Sequence, residues 1–230
     1  MAFAFRFISA RDQVTLRELL THTGGISVHG FPGYPAGAAV PSLAQVLDGS
    51  KPANTAAIRI EKAPGTEWNY SGGGFTVMQQ ALIDATHEPF PKLIASTVLG
   101  PIGMEHSTYE QPLPVALRSN AAVPYAVGGK PVEGGAHTYP EMAAAGLWTT
   151  PSDLALYVLE VQNSLVGKSH HVLDTKMTRA MLTPGKNKWG LGVETGGSDA
   201  ALTSRTAGSM KAFRASLWLT RKLAGMEPLS

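Results

Sequence analysis

The chain of 230 residues contains no cysteine, which excludes disulfides, thiolate zinc sites and a cysteine nucleophile. Charge is sparse. Charged residues make up 16% of the chain and the net charge is +2, with no Lys/Arg run dense enough for a nucleic-acid footprint. No stretch approaches the roughly 20 apolar residues of a membrane span. The opening "MAFAFRFISARDQ" is broken by Arg6, is too short for a secretory apolar region and lacks an A-x-A-like cleavage site. It reads as a stub, half of a strand, and not as a targeting signal. Lack of cysteine suits a bacterial periplasm as well as a cytoplasm, so the compartment stays open. A hydrophobic content of 43% argues against disorder. Neither an internal repeat nor a low-complexity linker divides the chain, which points to one mainly helical domain over 1–230.

Helix signals are plentiful. In "VTLRELLTHTGG", Thr15 is placed to N-cap, Glu18 completes a capping box, and Gly24 or Gly25 supplies the stop. A short helix is expected around "SLAQVLDG", inside a long Gly/Pro/Ala-rich loop from Ile26 to Asn54. "FTVMQQALIDAT" reads as an amphipathic helix and "FPKLIASTVLGPIGM" as another, ending before Pro101. "TTPSDLALYVLEVQNSL" has Thr150 as N-cap, Pro151 at the first position and Asp153 in the first turn, and "DTKMTRAMLTPG" gives one more helix. "AAIRIEKAPGTEWNYS" alternates Ile58 and Ile60 with charges before turning at Pro64-Gly65. Loops dominate between Glu110 and Thr149.

The stretch "EWNYSGGGF" sets a phenol and a hydroxyl, Tyr70 and Ser71, ahead of three glycines. Glycine runs allow close backbone approach and unusual φ values, so a substrate-facing bend and a plain turn into a helix are both open. Ser71 as a nucleophile conflicts with Asn69, which stands where a G-x-S-x-G elbow needs glycine. His22 reads as a loop-ordering histidine. The pairs His170-His171 and His22-His29 lack metal-ligand spacing, so no metal is expected. Tyr125 and Tyr139 are either pocket-lining or loop anchors, Trp148 and Trp189 read first as core residues, and Met78 and Met104 as core fillers.

Five stretches, "VTLRELLTHTGGI", "PGTEWNYSGGGFTVMQQALID", "LGPIGMEHSTYE", "GLWTTPSDLALYVLEVQ" and "WGLGVE", follow the order and spacing of the serine β-lactamase-like superfamily. From about Val14 to Val193 the chain resembles class C β-lactamases, D-alanyl-D-alanine carboxypeptidases of the penicillin-binding type and family VIII carboxylesterases. The resemblance implies an α+β, β-lactamase/transpeptidase-like fold, here mostly the helical region with an incomplete antiparallel sheet. It divides the single domain into a stub over 1–13, a family-like region over 14–202 and a divergent tail over 203–230. It also implies acyl transfer to a serine followed by hydrolysis of an ester, amide or β-lactam, with no cofactor. An ester or peptide bond is favoured because Gly72 replaces a common Asn.

The resemblance further implies three elements around one pocket. Ser-x-x-Lys supplies the nucleophile, Tyr-x-Asn or a Tyr-Ser-Gly variant a base, and Lys-Thr-Gly or His-x-Gly lines an edge strand. Tyr70 matches the second element and is the candidate general base, with Ser71, Gly72 and Trp148 on the substrate side. Thr206 and Gly208 fall at the third element. A free phenol, with pKa about 10, is a poor base at neutral pH, so Tyr70 needs a cationic neighbour. Yet no serine in the chain is followed by lysine three positions on. The family places that motif ahead of "VTLRELLTHTGG", so the expectation is a chain truncated after it. The tail from Thr203 lacks the alternation of an edge strand, and the expectation is that a frameshift underlies its departure from the family pattern. The chain is therefore expected to be inactive or weakly active. The alternative is a non-catalytic helical module that binds a partner or forms homo-oligomers through uncovered apolar surface.

Overall fold

Thr15 opens α1 (Leu16–Leu20): its hydroxyl accepts the Glu18 N–H while the Glu18 carboxylate accepts the Thr15 N–H, the reciprocal box that T-x-x-E encodes. Ser42 and Gln45 repeat the device at α2 (Leu43–Asp48), which Gly49 ends in the left-handed region at φ 67°. The computed structural model describes residues 14–126, 128–198, 201–210 and 213–222, with side chains described as far as residue 196. The expected stub over 1–13 lies outside the described residues.

The next helix, α3 (Gly72–Thr86), starts earlier than its apolar pattern indicated. Gly72, Gly73 and Gly74 form its first turn, not a bend before it, because Ser71 caps them. Following it, α4 (Phe90–Ile94) widens into a π-turn over Ala95–Leu99 and stops before Pro101. One turn, α5 (Met142–Ala145), stands in the loop-rich stretch where no helix was expected. In α6 (Pro151–Leu165) the Thr150 hydroxyl accepts the Asp153 N–H and Pro151 takes the first position, as read from the sequence. Asp153 does more than complement the helix dipole: its buried carboxylate accepts the His106 N–H at 2.9 Å and the Ser107 hydroxyl at 2.7 Å. Last comes α7 (Thr175–Leu182), capped by Asp174.

Two apolar cores hold these helices. Leu19, Ile26, Val46 and Ile58 form one, with Met78 packed on it; Val161, Leu165, Leu182 and Val193 form the other. Val46 is fully buried, and its truncation to Ala costs about 2 kcal/mol. Ile26 and Ile60 meet in an antiparallel bridge, so the alternating stretch around Ile58 docks on the loop after α1.

The tail departs from expectation. β1 (Glu194–Ser198), β2 (Ala201–Met210) and β3 (Phe213–Lys222) form an antiparallel sheet in the order β1-β2-β3, with Met210 opposite Phe213 and Ala201 opposite Lys222. Side-chain alternation reports a sheet with one wet face. Pairing itself needs only backbone groups and β-formers, which Thr203, Thr206, Phe213, Leu217, Trp218 and Thr220 supply.

Candidate active site

The loop 27–29 builds the floor of the site by closing the open end of α3. Gly72 and Gly73 donate their N–H groups to the His29 and Val28 carbonyls, each at 3.0 Å. A Cβ on Gly73 would collide with the Ser27 carbonyl, so glycine is required for this approach. Ser71 donates its hydroxyl to the Ser27 carbonyl at 2.8 Å and accepts the Gly74 N–H at 3.0 Å. It is buried, and its oxygen both caps the helix and straps the loop. Val28 reaches φ 64°, a strained value for a β-branched residue, within this strap.

Tyr70 enters an aromatic nest just ahead of that cap. Its ring lies 4.3 Å from His22, 4.8 Å from His29 and 5.9 Å from Trp189 by centroid. His22 is the hub, packing also on Phe75 at 5.3 Å, Trp189 at 4.9 Å and Trp68 at 6.1 Å. Its Nδ1 accepts the Ser71 N–H at 3.2 Å, which only the unprotonated nitrogen can do. Burial, and then the neighbouring His29, lower its pKa to about 4. Hence His22 is neutral at pH 7 and orders the loop, as its sequence context suggested. Burial pushes the Tyr70 phenol above its ordinary value of 10.0. Among the described residues no lysine or arginine bonds its hydroxyl. In this setting the phenol keeps its proton at neutral pH.

The remaining predicted residues are dispersed. Gly72 sits under His29 and Phe31, where an added Cβ would lie 3.1 Å from the His29 carbonyl. Trp148 pairs by backbone with Thr108 ahead of α6, and its ring is not among those packed on Tyr70. Thr206 and Gly208 stand in β2, opposite Leu217 and Ala215, in the central strand of the described sheet and not at its edge. Tyr125 is exposed and Tyr139 buried. Sequence reasoning missed His29 and Trp189 as neighbours of Tyr70, and Trp68 as a neighbour of His22 and Trp189. Trp189 lies more than a hundred positions from Tyr70, and no local pattern announces it. The indole N–H groups of Trp68 and Trp189 are buried in this nest without a partner.

This chain belongs to the Beta-lactamase family, whose model matches residues 6–222. Its fold is the β-lactamase/transpeptidase-like one. The structure superposes on the penicillin binding protein from Bacillus halodurans with a TM-score of 0.65 at 20% identity, covering 89% of this chain and 64% of that one. The D-alanine carboxypeptidase AmpC from Burkholderia cenocepacia gives 0.64 at 20% identity, covering 89% and 62%. In sequence the chain is 25% identical over 152 residues to the D-alanyl-D-alanine-carboxypeptidase/endopeptidase AmpH of Escherichia coli (strain K12), covering 66% of this chain. It spans 37% of the length of that curated relative.

Proposed function

We propose that this chain carries the tyrosine-bearing wall of a β-lactamase-type acyl-transfer site but does not by itself hydrolyse an ester, amide or β-lactam at a useful rate. The observation that carries this reading is the state of Tyr70. Its phenol is raised by burial, its nearest titratable neighbour His22 is neutral, and no ammonium adjoins it among the described residues. A base needs a cation to reach working range, and none of the described side chains supplies one. Ser71, the hydroxyl next to Tyr70, is committed to capping α3 and to the Ser27 carbonyl. Family membership supports the general chemistry of acylation and hydrolysis at a serine. The missing Ser-x-x-Lys supports its impairment in this chain. Nitrocefin and p-nitrophenyl ester assays on the purified chain test this: turnover at the buffer rate is expected. Turnover above it that Tyr70→Phe abolishes would overturn the reading.

A second reading, a self-associating module without catalysis, draws on exposed apolar side chains. Leu156 and Leu159 on α6, with Val166 and Met177 nearby in sequence, face solvent. Light scattering across a concentration series decides it: a mass that stays monomeric removes this reading.

A further inference from the structure

Residues 139–146 are strapped to the rest of the protein by two glutamines. Gln79 on α3 donates its amide N–H to the Pro140 carbonyl and accepts the Ala143 N–H, both at 3.0 Å. Gln111 donates to the Gly146 carbonyl at 2.7 Å and accepts the Tyr139 N–H at 3.1 Å. Each amide is used at both ends, so the straps are neutral. Between them Glu141 is wholly buried, and neither carboxyl oxygen has a hydrogen-bond partner. The titratable groups that feel it are the phenols of Tyr34 and Tyr139. Tyr34 already accepts the Asn54 N–H at 3.0 Å, and His137 bonds through Nδ1 to the Pro32 carbonyl at 2.8 Å. Among the described residues no lysine, arginine or histidine pairs with the Glu141 carboxyl.

A carboxylate cannot stay ionised there without a partner, and water reaches neither oxygen. The ligand small enough to neutralise it in place is a proton. We propose that Glu141 is a proton-operated latch: the protonated acid keeps α5 seated between α3 and Gln111, and loss of the proton unseats residues 139–146 so that the carboxylate reaches water. The element it would move is weakly held on its own account. α5 is a single turn of Met-Ala-Ala-Ala without a side-chain cap. Burial pushes the pKa of Glu141 to about 7, which sets the latch near neutrality. Unseating breaks the Gln79 bonds, and so couples the proton to α3, the helix whose first turn carries the Ser71 cap beside Tyr70.

The test follows the 13C resonance of the Glu141 carboxyl in the unmodified chain, together with amide-exchange protection at Ala144, Ala145 and Gly146, from pH about 5.5 to about 8.5. The carboxyl should titrate near 7, and protection should fall about tenfold or more over the same range while α6 amides keep theirs. Glu141→Gln should abolish the fall. A midpoint in the ordinary carboxylate range, protection that ignores the titration, or a fall that persists in Glu141→Gln would each overturn the latch. If Glu141→Gln does not fold, the titration of the unmodified chain decides alone.

Discussion

Around Glu160 the chain gathers three donors; around Glu141 it gathers none. Glu160 on α6 accepts Ser164 at 3.0 Å, Ser169 at 2.7 Å and 2.9 Å, and His171 Nδ1 at 3.2 Å. Burial alone would raise its pKa, but the bonds from Ser169, His171 and Ser164 outweigh it and leave the carboxyl below its ordinary range. Glu141 is desolvated with only its own backbone N–H to offset the burial, and rises to about 7. Two acids of one chemistry thus have opposite charge habits, decided by whether hydroxyl groups are placed within reach. Glu160 ties the 166–174 loop to α6 as an anion. Glu141 fits its place only as a neutral acid.

The largest effect that separates them is pH-dependent. The folded pKa of Glu141 lies above its ordinary 4.5, so its stabilisation is complete below that value and is lost as pH rises through about 7. The loss amounts to roughly 3 kcal/mol. Urea melts of Glu141→Met, which carries no titrating group there, should lack this descending arm, so the variant gains on the wild type between pH about 5 and about 8. Glu160 has the opposite sign: its folded pKa is depressed, so its contribution is present at neutral pH and is lost on acidification. Glu160→Ala should cost about 2 to 3 kcal/mol in urea melts at pH about 7, because two buried serines lose their acceptor. Gln79→Leu should cost about 1 to 2 kcal/mol and lower amide protection at Ala143, since the Pro140 carbonyl and Ala143 N–H lose their partner. Ser71→Ala should be smallest, about 1 kcal/mol by thermal melting, as the loss of one N-cap.

Local signals carried far in this chain. The capping box at Thr15 and the Thr150-Pro151 start of α6 each depend on residues within four positions, and each stands where the spacing placed it. The glycine run, open in sequence to a bend or a turn into a helix, is the first turn of the helix itself, because the Ser71 hydroxyl and the carbonyls of Val28 and His29 satisfy that turn from outside. The hairpin β2–β3 was hidden by a demand for alternation that backbone pairing does not require. The site shows the same division. The ordering role of His22 was legible in adjacent residues, whereas Trp189 joins His22 and Tyr70 through a fold-level contact that no window of sequence contains. Nothing in the sequence around Glu141 marks it out. Its isolation exists only once Gln79 and Gln111 strap the segment around it.

If the proposed reading of the Tyr70 site holds, no serine of this chain is poised to be acylated, and fluorophosphonate treatment of the purified chain at neutral pH, read by intact mass, tests this most directly. The unmodified mass is predicted. A stoichiometric single adduct, mapped to any serine and lost on heat denaturation before labelling, would contradict it.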